Sequence, residues 1–393
     1  MKKILFVEDD ALMRDVYRAL LDGEPWEVTT ASDGAEALTL MAQRSFDVVA
    51  SDMRMEGMNG IELLNEVIRL YPQTSRIIIS GIADQSEAAD ALGATHQFLV
   101  KPVGFDALLA VLARIGHLDT FLKGEKLKTL AGRMRVLPSF PVLYLKIMKA
   151  IEEPDTSMQE IRGVIIEDPG LTAKILQVVN SAAMGLTNKV SDPLEAVQHL
   201  GLGTVRSLAL SAHVFASYTA SQKINFPVNA LWAHLMTCAT TARAIMVMED
   251  ADHVSAEAAY TAGMLHDIGK LMLADSLPDE FQNMLATAAT RNAPFHTIEQ
   301  ETLGATHAGL AAYLLGLWGL PAPIVEAVAF HHTPENSSVL AFGPLTAVHV
   351  ANALEHEKDG DHPDLNKDYL AKIGMAKRLD VWREEVQKLR EEG

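Results

Sequence analysis

One cysteine in 393 residues, Cys238, excludes an internal disulfide and fits a reducing cytoplasm. It lies in the helix-like stretch "LWAHLMTCATTARAIM", where it reads as a small buried apolar residue. No apolar run approaches the length that spans a bilayer, so no membrane segment is expected. The run after the two lysines of "MKKILFVEDD" stops at Glu8 after four residues, too short for the core of a signal peptide. Basic charge is scarce as well. Lys and Arg number 33 against 51 acidic residues, a net charge of −18, and residues 1–120 hold 10 basic against 19 acidic side chains. Gripping a phosphate backbone needs clustered cations, so broad contact with DNA is not expected. The one basic stretch, "FLKGEKLKTLAGRMR" (121–135), reads as a solvated linker helix. Neither a GxSxG stretch nor a pair of zinc-type cysteines occurs. "GMLHDIGKL" is not a phosphate loop either: five residues separate Gly263 from Gly269, and Leu271 stands where Ser or Thr belongs.

What is present begins with alternation. "KKILFVEDD", "WEVTTAS", "FDVVASD", "RIIISG" and "HQFLVKP" are strand-like runs, and each precedes a segment with helical spacing. Five such units predict an α/β doubly wound fold with a parallel five-stranded sheet. Chemistry in these sheets gathers at the carboxyl ends of the strands. Glu8, Asp9, Asp10, Asp52, Ser80 and Lys101 all fall there. Crowded carboxylates repel one another unless a hard cation such as Mg²⁺ sits among them. A lysine and a hydroxyl beside them would hold phosphoryl oxygens, and Asp52 would be the nucleophile.

On "VEDD", "SDMRMEGMNG", "ISG" and "FLVKP", residues 1–118 resemble the receiver domain of two-component response regulators. The resemblance implies that Glu8, Asp9, Asp52 and the backbone carbonyl of Arg54 hold Mg²⁺. It implies that Asp52 accepts a phosphoryl group from a sensor histidine kinase, with Lys101 paired to it. Ser80 is then the switch hydroxyl and Phe98 the aromatic that changes rotamer. Asp10 is expected to be an extra surface carboxylate. Glu56 departs from the proline usual at its position and removes no ligand.

Residues 119–136 are expected to form a linker helix, which either continues the closing receiver helix or is separated from it by a break at Gly116 or Gly124. From 137 onward the pattern is helical, predicting an all-α HD-like domain over residues 137–393. "GLGTVRS" lacks a preceding strand, so it reads as helix packing rather than a dinucleotide loop. "LPSFP", "EDPGLTAKILQVVNS", "VSDPLEAVQHLGLGTVRSL" and "GMLHDIGKLML" resemble the HDOD output domain, a relative of the HD phosphohydrolases. That likeness implies a regulatory module that acts on a downstream signalling protein or a second messenger. The closing segment carries an apolar stripe, Leu379, Trp382, Val386 and Leu389, expected to pack on this domain, with a homodimer contact as the alternative.

Ten of the fourteen histidines lie in residues 234–362. His234, His266, Asp267, His307, His331 and His332 form an ordered series that suits a transition metal. His349 and Asn352 follow in "VHVANAL", and Lys270 would face the same side as His266. Cyclic-dinucleotide phosphohydrolases of the HD-GYP type use a series in nearly this order. Here Asn352 stands where a closing carboxylate is expected, and "HHTPENSS" replaces the GYP motif. The favoured reading is a site retained for packing without catalysis; a bound metal or nucleotide without turnover, and an active phosphohydrolase gated by phosphorylation, remain alternatives. His253, His296 and His362 are expected to be solvated loop residues, and Trp318 a packed helix-end aromatic.

Overall fold

The structure is a computed structural model that describes residues 2–81, 94–121, 158–166, 192–219, 226–356 and 365–391, with a few single positions between them. The chain divides into two compact units, one α/β and one helical.

The first unit is built on β1 (Lys2–Val7), β2 (Trp26–Ala31), β3 (Val48–Asp52), β4 (Ser75–Gly81) and β5 (Gln97–Lys101). They pair in the order β2-β1-β3-β4-β5, all parallel. Helices α1 (Ala11–Leu20), α2 (Gly34–Gln43), α3 (Gly60–Leu70) and α4 (Phe105–Phe121) connect and cover them. The predicted sheet is therefore present, with five strands. Residues 82–93, where a helix was expected after β4, lie outside the described residues.

The strands are apolar on both faces because both faces are covered. Leu5, Val7, Val49 and Ile78 join Leu63, Leu64 and Val67 of α3 in one core; Ile4, Phe6, Ala50 and Ile77 join Tyr17, Leu108 and Leu112 in the other. Each fully buried Leu or Ile contributes roughly 1.5–3 kcal/mol of transfer free energy. Strand order then positions the rim. β3 lies between β1 and β4, with Val7 level with Ser51 and Asp52 level with Ile79, so Glu8, Asp52 and Ser80 end side by side. Asp10 is more than a surface carboxylate: its side chain caps α1, accepting from Leu12 N at 2.8 Å. The loop after Asp52 ends in a capping box between Asn59 and Glu62 at the start of α3. α4 runs without a break through Gly116 to Phe121; Gly124 lies outside the described residues.

The second unit is helical: α5 (Met158–Ile166), α6 (Pro193–Thr219), α7 (Val228–Met248), α8 (His253–Leu265), α9 (Ile268–Ser276), α10 (Pro278–Arg291), α11 (Phe295–Leu303), α12 (His307–Leu317), α13 (Ala322–Phe330), α14 (Pro344–Glu355), α15 (Lys367–Lys372) and α16 (Leu379–Glu391). "GLGTVRS" lies within α6, which bends at Gly201 (φ 76°) and packs on α8, as helix packing requires. The closing stripe packs inward on its own unit. Trp382 is fully buried, stacks on Phe342 and donates to Glu249 Oε1 at 2.8 Å, and Val386 is buried beside it; the side chain of Leu389 lies outside the described atoms.

Two glycines let the helices that carry the histidines approach one another. A Cβ at Gly263 would lie 2.6 Å from Ala239 Cα, so α8 runs hard against α7. A Cβ at Gly269 would lie 2.1 Å from the His307 carbonyl oxygen, so α9 touches the start of α12. Close packing of this kind leaves no room for a methyl group.

Candidate functional sites

At the sheet rim, Glu8, Asp9 and Asp52 bring carboxylate oxygens within 4.8 Å of one another. Lys101 Nζ lies 2.8 Å from both Glu8 Oε2 and Asp52 Oδ2. Burial works against the Lys101 charge, but the Asp52 and Glu8 carboxylates overrule it and push its pKa up to about 12. Burial also pushes the Glu8 carboxyl above its ordinary value. Ser80 is buried at the end of β4, and the Arg54 backbone N–H faces Asp52 Oδ1 at 3.5 Å. Phe98 sits in β5 opposite Ile78 of β4; its side chain lies outside the described atoms. Three carboxylates with one lysine fit a hard divalent cation together with a phosphoryl group.

The second site grows from helix ends. His234 projects from α7; His266 and Asp267 form the tight junction between α8 and α9; His307 opens α12; His331 and His332 leave the end of α13. Asp267 lies at their centre. Its Oδ2 is 3.6 Å from His234 Nε2 and 3.7 Å from His266 Nε2, and it accepts from Lys270. Its Oδ1 is 2.9 Å from His307 Nε2 and 3.6 Å from His331 Nε2. His332 Nε2 lies 3.3 Å from His307 Nε2. All six residues of the predicted series are thus brought together, and Lys270 faces them as expected.

Backbone carbonyls settle the tautomers, because a carbonyl only accepts. His266 Nδ1 donates to Gly263 O and His331 Nδ1 to Val328 O, each at 2.8 Å, so both Nε2 atoms carry lone pairs. His307 Nδ1 lies 2.6 Å from Glu299 Oε2, a carboxylate–histidine pair that aims the ring. Burial holds His234 and His266 down to about 3 and His331 to about 4, keeping those rings neutral. For His307 burial acts downward too, but the Glu299 carboxylate wins and raises it. Burial would raise Asp267; Lys270, then His266 and His307, hold it well below the usual carboxylate range.

His331 Nε2 is buried yet makes no hydrogen bond, a costly state unless another group satisfies it, and Asp267 Oδ1 has only the His307 ring at 2.9 Å within such reach. Neutral imidazoles aimed at a shared carboxylate are the donor set of a transition-metal site, so the residues present fit such a group. A cleft of about 370 Å³ opens onto Asp267 and Lys270, walled by Phe226, Phe281 and Phe295.

Several residues differ from their expected roles. His296 is not a solvated loop residue: it lies in α11, half-buried, with its ring stacked on His332 at 4.3 Å. Its ring is flat enough to cover His332, a contact between residues 36 positions apart in sequence that no local pattern announces. His253 is exposed at the start of α8, and His362 lies outside the described residues. His349 belongs to the scaffold, its Nδ1 against His331 O at 2.7 Å and its Nε2 accepting from Asn366 N at 3.0 Å. Asn352 is buried and its Oδ1 makes no hydrogen bond. Sequence reasoning missed Glu299, fully buried behind His307, and His356, whose ring lies 4.8 Å from that of His234. Cys238 is buried as expected, and its Sγ also lies beside the His234 ring. Its place four residues after His234 was the available signal.

The comparisons agree with both halves. The HDOD domain matches residues 137–334, and the response regulator receiver domain matches residues 4–113. An uncharacterized protein of Treponema pallidum (strain Nichols) is 27% identical over 239 residues, 60% of this chain and 45% of that protein. The transcriptional regulatory protein ZraR of Escherichia coli O157:H7 is 37% identical over 113 residues, 28% of this chain and 25% of that protein. The chain therefore spans less than half the length of either relative. Among solved structures, an HDOD domain protein with unknown function from Geobacter sulfurreducens superposes with a TM-score of 0.54 at 20% identity, covering 69% of this chain and 99% of that one, a likeness of fold. Among the described residues no helix is long and apolar enough to cross a membrane. With the HDOD match covering half its length and a receiver domain ahead of it, the chain belongs to the HDOD family and has the architecture of a response regulator with an HDOD output domain.

Proposed function

We propose that this protein is a two-component response regulator whose Asp52 takes a phosphoryl group from a sensor histidine kinase and whose HDOD domain relays that state to a downstream signalling protein. The observation that carries this reading is the Lys101 ammonium at 2.8 Å from both Asp52 and Glu8. A carboxylate oxygen of Asp52 attacks phosphorus as the bond to the donor's histidine nitrogen breaks. Glu8, Asp9, Asp52 and the Arg54 carbonyl would hold Mg²⁺, which when bound would neutralise charge on the phosphoryl oxygens. Lys101 then turns from the lost carboxylate charge to the new phosphoryl oxygens, and Ser80 at the end of the neighbouring strand offers its hydroxyl to them. Residues 119–136 would connect receiver to output, and the conformational change would be a population shift between existing states. Incubation with acetyl phosphate is expected to label the wild-type chain in Mg²⁺ and to leave Asp52→Asn unlabelled. Undiminished labelling of that variant would refute the assignment.

A second reading concerns the output domain. We infer that the histidine cluster around Asp267 holds a transition metal as a binding site, and the buried His331 Nε2, which makes no hydrogen bond, favours this over packing alone. The neutral Asn352 argues against turnover, while a phosphohydrolase acting on a cyclic dinucleotide is the alternative. Elemental analysis of the purified chain is expected to return iron, manganese, zinc or nickel in stoichiometric amount. A metal-free preparation that cannot be reloaded would overturn this reading.

A further inference from the structure

The cluster divides into two halves at Asp267. One half gathers His307, His331 and His332 about Oδ1; the other gathers His234 and His266 about Oδ2. The second half also contains sulfur. Cys238 follows His234 by one helical turn on α7, so both side chains leave the same face. Its Sγ lies 3.7 Å from His234 Nε2 and 3.8 Å from Nδ1, and the ligand atoms of His234, Cys238 and His266 fall within 4.8 Å of one another. The thiol is fully buried and outside any disulfide.

We propose that Cys238 is a metal ligand, completing with His234, His266 and Asp267 a thiolate-bearing half-site that takes Zn²⁺ or another thiophilic divalent ion. This rests on the reading of the cluster as a metal site. Two imidazole nitrogens, one sulfur and one carboxylate oxygen are a tetrahedral zinc set. Charge argues the same way. Asn352 brings no negative charge where a carboxylate was expected, and Asp267 is shared between the halves. A thiolate restores the missing charge on the His234 side. A buried thiol in apolar surroundings stays protonated on its own, and a coordinated one gives up its proton to solvent. The second, independent sign that the cluster takes a ligand is His331 Nε2 in the adjoining half, buried without a hydrogen bond. The His331 and His266 rings lie 4.8 Å apart there.

The chain carries no other cysteine, so any thiolate signal belongs to Cys238. The test is to strip the full-length protein of metal, reload it with Co²⁺ and record its absorption. A thiolate-to-cobalt charge-transfer band in the near ultraviolet is expected beside the visible ligand-field bands. In Cys238→Asp the visible bands should persist and the ultraviolet band disappear. Cys238→Ala should weaken Zn²⁺ binding by about 100-fold or more, at least the loss that removing a supporting partner causes. Visible bands without the ultraviolet band in the wild-type protein would overturn the role of Cys238 while leaving the metal site standing. Failure to bind cobalt at all would overturn both.

Discussion

Acidifying the metal-free protein from pH 7 to pH 5 should lower its folding stability by on the order of 5 kcal/mol. His234, His266 and His331 are held at about 3, 3 and 4 in the folded chain, first by burial, against the ordinary value of 6.5. The unfolded chain therefore takes up protons below about pH 6.5 that the folded chain refuses. Stability is fully present above that pH and is lost as pH falls toward the folded values. Each of the three histidines contributes about 2 kcal/mol of that loss at pH 5. His332, held well below its ordinary value by burial, acts in the same direction. His307 acts oppositely, because Glu299 raises its pKa and the folded chain binds that proton more tightly. The remaining charged or titratable neighbours are Asp267 and Lys270 in the cluster, His296 against His332, and Cys238, His356 and Glu355 beside His234. The measurement is a set of urea titrations of the chelated protein between pH 7 and pH 5. A flat profile across that range would show that the rings are not held neutral.

Asp267→Ala should abolish metal binding outright, whereas any single histidine variant should leave part of it. The difference follows from geometry. Asp267 faces His234 and His266 with one oxygen and His307 and His331 with the other, so its loss removes a ligand from both halves. His332→Ala removes a ligand from one half only and leaves the His234 side whole. Metal-to-protein ratios for the two variants, prepared identically, would decide it. Equal retention by both would mean that Asp267 is not shared. The aspartate variant should also lose about 3–5 kcal/mol in the metal-free state, because Lys270 is left part-buried without its carboxylate.

Much of the receiver was legible in the chain itself. Its strands are short apolar runs with polar ends, and a parallel sheet places those ends on one rim whatever the helices do. Glu8, Asp52, Ser80 and Lys101 could be assembled from local runs because strand order alone makes them neighbours. The histidine cluster was legible only as an order of ligands. Its six members come from four separate places in the helical unit, and helical spacing does not say which ends meet. Glu299 escaped because a buried glutamate looks like any surface glutamate until His307 is seen against it. His296 was misplaced because its partner lies in a different helix terminus. Cys238 was read correctly as buried, and burial was taken as the whole of its role, though its one-turn spacing from His234 was visible.

Gly263 and Gly269 have a consequence for how such a chain can change. The side chains of His234 and His332 end in the cluster and not against the backbone of another helix. Any side chain at 263 or 269 must instead push against backbone atoms of another helix, 2.6 Å and 2.1 Å away. Substitution at 263 or 269 is thus resisted by shape alone, apart from any chemistry at the cluster. Descendants of this fold can exchange one metal for another, or lose metal altogether, while the hollow that once surrounded it keeps its outline.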